Sequence, residues 1–374
     1  MATEARTNLG ALWWHLAAAE LDVLVGLSPD NFFYATGALI MTQKMIPDRL
    51  AAVVLSRDQS PTAVVCSIEE ALTRRDSCCA DIRTYVEGSG SPIDLLAEVL
   101  RERGLDRARI GFEADSLPVR FAEELRAALP AATLVGADAV WARTRAIKTA
   151  AEVEILRAGA RATEQAIVEA FASARCGDTE KAVADEIRCR LLRAGATDTW
   201  LTLSAGQNTS VNHHLPSSKR LEPGELVHVD CGGVFAGYYS DLSRMAAVGL
   251  PSAEQADQHR WLYEVLRRSI VSARAGAKAG EVYATAKASF EKAGREFRAV
   301  LVGHSIGVAI HELPVIHRDD PTVLQPGMAL QIELGLPDGQ GSRLHVEELI
   351  LVTEGAPELL SDFRPADQLA VIRS

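Results

Sequence analysis

Hydrophobic and polar residues follow two different periods along the chain, and the change between them predicts two parts. Up to about residue 145, helical spacing alternates with short apolar runs of strand length, such as LAAVVLS and TAVVCS. In SPIDLLAEVLRERGLD the apolar residues recur at helical spacing, and Gly104 is the expected stop. The pattern predicts a smaller α/β domain over residues 1–145, with a mixed sheet and helices on its faces.

The second part is predicted to begin with a long amphipathic helix. In RTRAIKTAAEVEILRAGARA, Thr149 can cap the helix and Glu152 can complete a capping box. A second helix is expected near 178–194, and then strands and glycine turns dominate, with a helical stretch at 254–294 between them. This order predicts an α+β domain over 146–374 with a long antiparallel sheet. The stripe that should pack on the core is Val153, Leu156, Ala160, Ile167 and Phe171.

Length and charge support two domains and exclude several function classes. A chain of 374 residues exceeds the roughly 250–300 residues at which single cores stop growing. The net charge of -11 argues against a nucleic-acid partner, because it repels a phosphate backbone. Glu20 and Asp22 interrupt the apolar stretch near the N-terminus, and no window reaches the ~18 apolar residues of a membrane span. Six irregularly spaced cysteines favour reduced thiols, so we expect a soluble, cytoplasmic protein.

Acidic residues within apolar strands are the first candidates for chemistry. In LVHVDCGGVFAGYYSDLSRMAAVG, Asp230 is predicted to end one strand and Asp241 to lie in the next, joined by a turn that contains three glycines. Burying an unpaired carboxylate costs on the order of several kcal/mol. Two such acids on adjacent strands therefore indicate a cation or a basic partner, unless the strands expose these positions on a half-exposed sheet.

Histidines provide the next candidates. VGHSIGVAIHELP contains His304 and His311, and its glycines Gly303 and Gly307 are expected to let the backbone approach a ligand. A histidine inside a core is more often a packed residue than a ligand, so the pair is weak evidence alone. A polar loop before the Asp230 strand adds two further histidines, His213 and His214.

Two glutamates complete an oxygen-rich set. Glu333 lies within the strand ALQIELG, and the two-residue period of RLHVEELILVT places Glu347 on the face of His345 and turns Glu348 away. Carboxylates with one imidazole suit manganese, cobalt, iron or zinc, and five ligands indicate two ions that activate a water for hydrolysis. The predicted metal ligands are Asp230, Asp241, His304, Glu333 and Glu347.

These residues resemble the pitta-bread metallopeptidase family, which includes Xaa-Pro dipeptidases, aminopeptidase P, methionine aminopeptidases and creatinase. NFFYATGA resembles a segment of the family's N-terminal domain, while VDCGGVFAGYYSDLSR, GHSIGVAIHELP, GMALQIELG and VEELILVTEGAPELLS resemble its metal-binding segments in order. The resemblance implies a creatinase-like N-terminal domain followed by a pitta-bread catalytic domain. It also implies two divalent ions, manganese or cobalt first and zinc or iron as further options.

The resemblance further implies roles for individual residues. Glu333 would take a proton from water, and His213 and His311 would orient the substrate or stabilise the tetrahedral intermediate. His345 would contact the substrate. Family members commonly form homodimers through the N-terminal domain, so a homodimer is expected, and aromatic residues are candidates for that contact or for the core. These aromatic residues are Trp13, Trp14 and Phe32.

Two departures leave the substrate open. His345 stands where proline-specific members usually carry arginine, and Val300 stands where they carry histidine. One alternative is an Xaa-Pro dipeptidase or aminopeptidase. The other is a creatinase- or ectoine-hydrolase-like enzyme acting on a small amidine or cyclic amide, towards which GHSIG and the tail ELLSDFRPADQLAVI lean. A third, a catalytically inactive binding module, is disfavoured because such copies usually lose the ligands that this chain has.

Overall fold

The computed structural model describes residues 8–46, 48–361 and 368–374. Two compact units divide between Arg145 and Ala146. In the tail ELLSDFRPADQLAVI, residues 362–367 lie outside the described residues, as does the N-terminal MATEART. No helix in the described ranges is long and apolar enough to cross a membrane.

The first unit consists of a six-stranded sheet and helices on its faces. Its strands are β1 (Val23–Gly26), β2 (Ala52–Ser56), β3 (Gln59–Cys66), β4 (Asp81–Tyr85), β5 (Arg109–Phe112) and β6 (Thr133–Gly136). Its helices are α1 (Leu9–Ala18), α2 (Pro29–Thr36), α3 (Met41–Met45), α4 (Glu70–Asp76), α5 (Pro92–Glu102), α6 (Val119–Ala128) and α7 (Asp138–Ala146). The strand order is β4-β3-β2-β1-β5-β6.

The sheet of this unit is mixed, as the sequence predicts. Strand β1 pairs antiparallel with β2 and parallel with β5. Apolar faces of α5 and α6 pack with the strands into one core, in which Ile93, Leu96 and Leu125 have no exposed surface. The chain passes Gly104 with φ 71°, in the left-handed region that glycine tolerates and that commonly ends a helix. Phe32 is fully buried in this unit, so it cannot form the dimer contact considered above, whereas Trp14 is 66% exposed.

The second unit contains four α-helices and ten strands among its described residues. The helices are α8 (Ala150–Ser173), α9 (Glu180–Arg193), α10 (Ala253–Ser272) and α11 (Ala279–Lys292). The strands are β7 (Thr199–Ala205), β8 (Leu226–Phe235), β9 (Tyr238–Tyr239), β10 (Leu242–Val248), β11 (Leu301–Ser305), β12 (Glu312–His317), β13 (Ala329–Pro337), β14 (Arg343–Leu351), β15 (Glu358–Leu359) and β16 (Ala370–Ile372).

The α+β prediction for this unit is confirmed, but the strands form two five-stranded sheets instead of one long sheet. Their orders are β16-β10-β8-β7, with β9 beside β8, and β12-β11-β13-β14-β15. Neighbouring strands are antiparallel except β10 and β16. The two sheets meet where β10 lies against β14, since Arg244 Nη1 donates to the carbonyl oxygen of Glu347 at 2.7 Å.

The predicted helix start at Thr149 is confirmed. Thr149 Oγ1 accepts from the backbone N–H of Glu152, and Glu152 Oε2 accepts from that of Thr149, which closes the capping box. The predicted stripe of α8 is buried. The helical stretch expected at 254–294 is two helices, α10 and α11; α10 packs on β13 and β14, and α11 packs on β11 and β12.

Two details of the strands differ from the sequence prediction. Asp230 lies in the middle of β8 instead of at its end, and Gly232 lies within the same strand instead of the turn. A Cβ on Gly232 would collide with the carbonyl oxygen of Ser240, and one on Gly303 with that of Gln331. These glycines therefore allow neighbouring strands to approach closely, which is a different reason from the approach to a ligand expected for Gly303.

Candidate metal centre

Three residues from distant parts of the sequence converge between the two sheets. Asp241 directly precedes β10, His304 lies on β11 and Glu347 on β14. One ligand atom of each lies within 4.8 Å of the others, and all three side chains are buried. Nε2 of His304 is 3.7 Å from Oδ2 of Asp241. This spacing is suited to a shared cation, because a metal at 2.0–2.2 Å from each donor holds the donors roughly 3–4 Å apart.

The other two predicted ligands adjoin this group. Glu333 on β13 pairs directly with Glu347 on β14, so the two acids face each other across the ladder. Asp230 on β8 lies close enough to Asp241 that its charge raises the pKa of Asp241. Like charges placed directly opposite destabilise a sheet unless a cation lies between them. The structure thus brings all five predicted positions into one region.

The electrostatics of this region show acids that lack compensation from the protein. Burial raises the pKa of Asp241 and Glu347 well above the ordinary range, and repulsion between these acids and Asp230 adds to the rise. Burial, with the charge of Glu333, also raises the pKa of Asp230, to about 6. Oδ1 of Asp230 and Oδ1 of Asp241 are buried with no hydrogen-bond partner among the described residues. Such a cluster is unfavourable without a bound cation.

His304 is oriented as a metal ligand would be. Its Nδ1 donates to the carbonyl oxygen of Ser305 at 3.0 Å, which leaves the lone pair on Nε2, the nitrogen that faces Asp241. Burial and neighbouring His311 lower its pKa, so the ring is neutral at physiological pH. His311 stacks on His304, with ring centroids 3.6 Å apart and planes 16° from parallel.

Glu333 differs from the other acids because a histidine compensates its charge. Burial opposes its ionisation, but the hydrogen bond and charge of His345 hold the pKa of Glu333 at about 2. Nε2 of His345 lies 3.1 Å from Oε2 of Glu333, while Nδ1 is bonded to Ser243 Oγ at 3.0 Å. His228 Nε2 reaches the same hydroxyl at 2.9 Å. His345 is therefore buried and bonded at both nitrogens, which differs from the substrate contact expected from the sequence.

The remaining candidates lie at different distances from the acids. His213 is exposed with φ 54°, and its charge acts on Asp230 and His311, which places it at the edge of the region. His214 lies instead 3.9 Å from Glu180. Val300 is 82% exposed just before β11, so this position does not line the buried acids.

An ion-pair network that joins β10, α8 and β14 was not predicted from the sequence. Arg244 binds Glu164 at 2.9 Å and Glu348 at 3.0 Å. Glu348 also accepts from Tyr263 at 2.9 Å and from Ser361 at 2.7 Å. Because Arg244 also binds the backbone carbonyl of Glu347, this network fixes the strand that carries a predicted ligand. The alternation of Glu347 and Glu348 indicated opposite faces, but the arginine partner is distant in sequence.

Substituting Glu348 with Gln is expected to destabilise the fold by about 3–5 kcal/mol, because it leaves the buried guanidinium of Arg244 partly unpaired. Chemical denaturation followed by circular dichroism measures the change. The matched control is Glu264→Gln, which removes an exposed partner of Arg268 and should change stability by less than about 1 kcal/mol. Equal stability of the two variants would show that the buried network contributes nothing specific.

Divalent metals fit this donor set. The cluster offers buried carboxylate oxygens that lack protein partners and an imidazole nitrogen held as an acceptor. Hard and borderline divalent ions prefer these donors, and no thiolate of the six free cysteines takes part in the three-residue group.

Two family models match consecutive parts of this chain. The model of metallopeptidase family M24 matches residues 154–354, and that of the creatinase/prolidase N-terminal domain matches residues 10–147. The chain is 29% identical over 357 residues to an Xaa-Pro dipeptidase from Lactobacillus helveticus, covering 93% of this chain and 94% of that protein.

Solved structures show the same architecture. Dipeptidase PepE from Mycobacterium ulcerans matches with a TM-score of 0.85 and 29% identity, over 98% of this chain and 97% of that one. A prolidase from Thermococcus sibiricus, 22% identical, shares the fold over 99% of both chains with a TM-score of 0.87. The predicted pitta-bread fold with its creatinase-type N-terminal domain is confirmed. Because the first of these family models covers more than half of the chain and its region contains all five clustered residues, this protein belongs to metallopeptidase family M24 and is a metallohydrolase.

Proposed function

We propose that this chain hydrolyses the carbon–nitrogen bond of Xaa-Pro dipeptides with two divalent ions. The observation that carries the proposal is the buried cluster of Asp241, His304 and Glu347 with uncompensated acids beside it. Relatives named Xaa-Pro dipeptidase and dipeptidase, aligned over most of their length, support a short peptide as substrate.

The metal assignment follows from the donor positions. Asp241, His304 and Glu347 would hold one ion, and Asp230 and Glu333 would complete the set for a second. We propose manganese or cobalt, because the set is rich in carboxylate oxygens and has a single imidazole. When bound, the ions would polarise the substrate carbonyl and lower the pKa of a water molecule.

The residues of the chain supply the remaining functions. Glu333 would accept the proton of the attacking water, and its hydrogen bond to His345 would hold its carboxylate in a fixed orientation. His311, stacked on His304, and His213 at the edge of the region would orient the peptide and donate to the oxygen that gains negative charge. We propose His345 as a positioning residue for Glu333, because both of its ring nitrogens are bonded within the protein.

One observation favours a second candidate, a creatinase- or ectoine-hydrolase-like hydrolase of a small amidine or cyclic amide. His345 occupies the position at which proline-specific members of the family usually carry arginine. The dipeptidase relatives argue against this candidate.

A substrate panel tests the two candidates. The protein is loaded with Mn²⁺ and incubated with Ala-Pro, Ala-Pro-Ala, creatine and ectoine, and the products are measured by chromatography. We expect free proline from Ala-Pro, loss of this activity after chelation, and its return when Mn²⁺ is restored. Release of products from creatine or ectoine without proline from Ala-Pro would replace the proposal with the second candidate.

We also propose a homodimer in the cytoplasm. All six cysteines are free thiols, which is typical of a reducing compartment. The exposed Trp14 on α1 is available for a contact between first units. Light scattering after size exclusion should give twice the 40.2 kDa chain mass, and a monomer mass would contradict the dimer.

A further inference from the structure

An arginine at the start of β14 faces the acid cluster. By the two-residue period, Arg343 shares its strand face with His345 and Glu347. Its side chain crosses to β13, where a Cβ on Gly335 would collide with Nη2 and lie 2.5 Å from Nε. Gly335 follows Glu333 by two residues on the same face. The guanidinium therefore lies flat over the glycine, beside Glu333.

Contacts from a neighbouring loop hold this side chain in place. Nη1 of Arg343 donates to Oδ1 of Asn212 at 2.5 Å, and its backbone N–H donates to Oγ1 of Thr209 at 2.9 Å. Asn212 directly precedes His213, the histidine at the edge of the acid cluster. The guanidinium thus lies between this loop and the predicted metal ligand Glu333.

Once metals are bound, the acids of the cluster would no longer balance the positive charge of Arg343. Burial lowers the pKa of Arg343, and the carboxylates of Glu333 and Asp230 act in the opposite direction, so it stays protonated. Two divalent ions would offset the four negative charges of the clustered acids. The charge of Arg343 would then remain available for a bound anion. The clustered acids are Asp230, Asp241, Glu333 and Glu347.

We propose that Arg343 binds the terminal carboxylate of the dipeptide substrate; this inference rests on the proposed function. A guanidinium matches a carboxylate with two parallel hydrogen bonds, and the anion supplies the missing negative charge. The contact selects substrates that end one residue after the cleaved bond, and so favours dipeptides over longer peptides. The guanidinium of Arg343 is supplied from a position two residues before His345, on the same strand face.

Ligand binding tests the proposal independently of turnover. Isothermal titration calorimetry compares L-proline with L-prolinamide on the Mn²⁺-loaded protein, since the two ligands differ in the carboxylate and share the amine and ring. We expect the wild-type protein to bind proline at least about tenfold more tightly. In Arg343→Met this preference should fall to within about twofold, because the unbranched side chain replaces the apolar stem of arginine but has no guanidinium.

A second variant removes the contact while retaining the charge. In Gly335→Ala the new methyl group would displace the flexible end of Arg343, so the preference for proline should also fall, in a protein whose arginine is intact. The control Arg268→Met removes an arginine that is more than half exposed and should keep the wild-type preference. Circular dichroism shows that each variant is folded.

The outcomes separate this inference from the proposed function. A wild-type protein without preference for proline, or an Arg343→Met protein that keeps it, overturns the role of Arg343. An equal loss of affinity for both ligands also overturns it, because that result describes a structural role. A carboxylate preference that depends on Arg343, in a protein that does not cleave Ala-Pro, supports the role of Arg343 and refutes the proposed peptidase activity.

Discussion

Replacing His304 with Ala is expected to lower kcat/KM for Ala-Pro by about 10³-fold or more, since the loss of a metal ligand removes several kcal/mol of charge stabilisation. The ring is 2% exposed, and its Nε2 faces Asp241 within the cluster. Steady-state kinetics at saturating Mn²⁺ measure the effect. The far-ultraviolet circular dichroism spectrum should remain that of the wild-type protein, because the surrounding strands pair through their backbones.

His317→Ala is the matched control for this substitution. His317 ends β12 on the surface, and its Nδ1 accepts from the backbone N–H of Asp319. Its removal should change kcat/KM by less than about twofold, as expected for a surface substitution worth roughly 0.5 kcal/mol or less. Activity of His304→Ala close to that of the control would mean that the cluster does not bind the catalytic ions.

Removing divalent ions with a chelator is expected to lower the melting temperature, and to lower it more at pH 8 than at pH 5. The folded, metal-free protein holds Asp230, Asp241 and Glu347 with raised pKa values, that of Asp230 at about 6. The unfolded chain releases the same protons near pH 4. Rising pH therefore favours unfolding of the metal-free protein, and the stability that these groups contribute below pH 4 is lost as pH rises through 6 and beyond.

Bound ions reverse this trend, because they bind the deprotonated carboxylates. A ligand at 1,000 times its Kd stabilises the folded state by about 4 kcal/mol, and each kcal/mol raises the melting temperature by about 2–4 °C in a domain of this size class. Calorimetry with and without Mn²⁺ at the two pH values measures the difference. Asp257→Asn, an exposed acid, should behave as the wild-type protein, and Asp241→Asn should lose most of the Mn²⁺ effect. An equal chelator effect at both pH values would refute the explanation.

The sequence predicts most of the fold because its signals are local. The capping box at Thr149 and the apolar stripe of α8 depend on residues within one helix, and the structure shows both. The division of the second unit into two sheets depends instead on contacts between β10 and β14, which no local pattern encodes. Asp230 was expected at a strand end because glycines follow it. The strand continues instead through Gly232, which has no Cβ to collide with the carbonyl oxygen of Ser240.

The candidate site, like the fold, was only partly predictable from local sequence patterns. Asp241 and Glu347 stand out in the sequence because acidic groups in apolar segments need a partner, whereas His304 gains weight only beside these acids. The partners of Glu333 and Glu348 could not be predicted, because His345 and Arg244 reach them across strands. The strand period places Arg343 on the face of His345 and Glu347, but the direction of its long side chain over Gly335 does not follow from it.

The metal content of the protein tests the central claim most directly. The purified chain is loaded with Mn²⁺, freed of unbound ions by desalting and analysed by mass spectrometry of the elements, beside His304→Ala and His317→Ala. We expect about two ions per chain in the wild-type protein and in His317→Ala, as in two-metal sites generally, and a clear loss in His304→Ala. Retention of no ions by the wild-type protein, or equal retention by all three proteins, would contradict a metal centre built from these buried acids and His304.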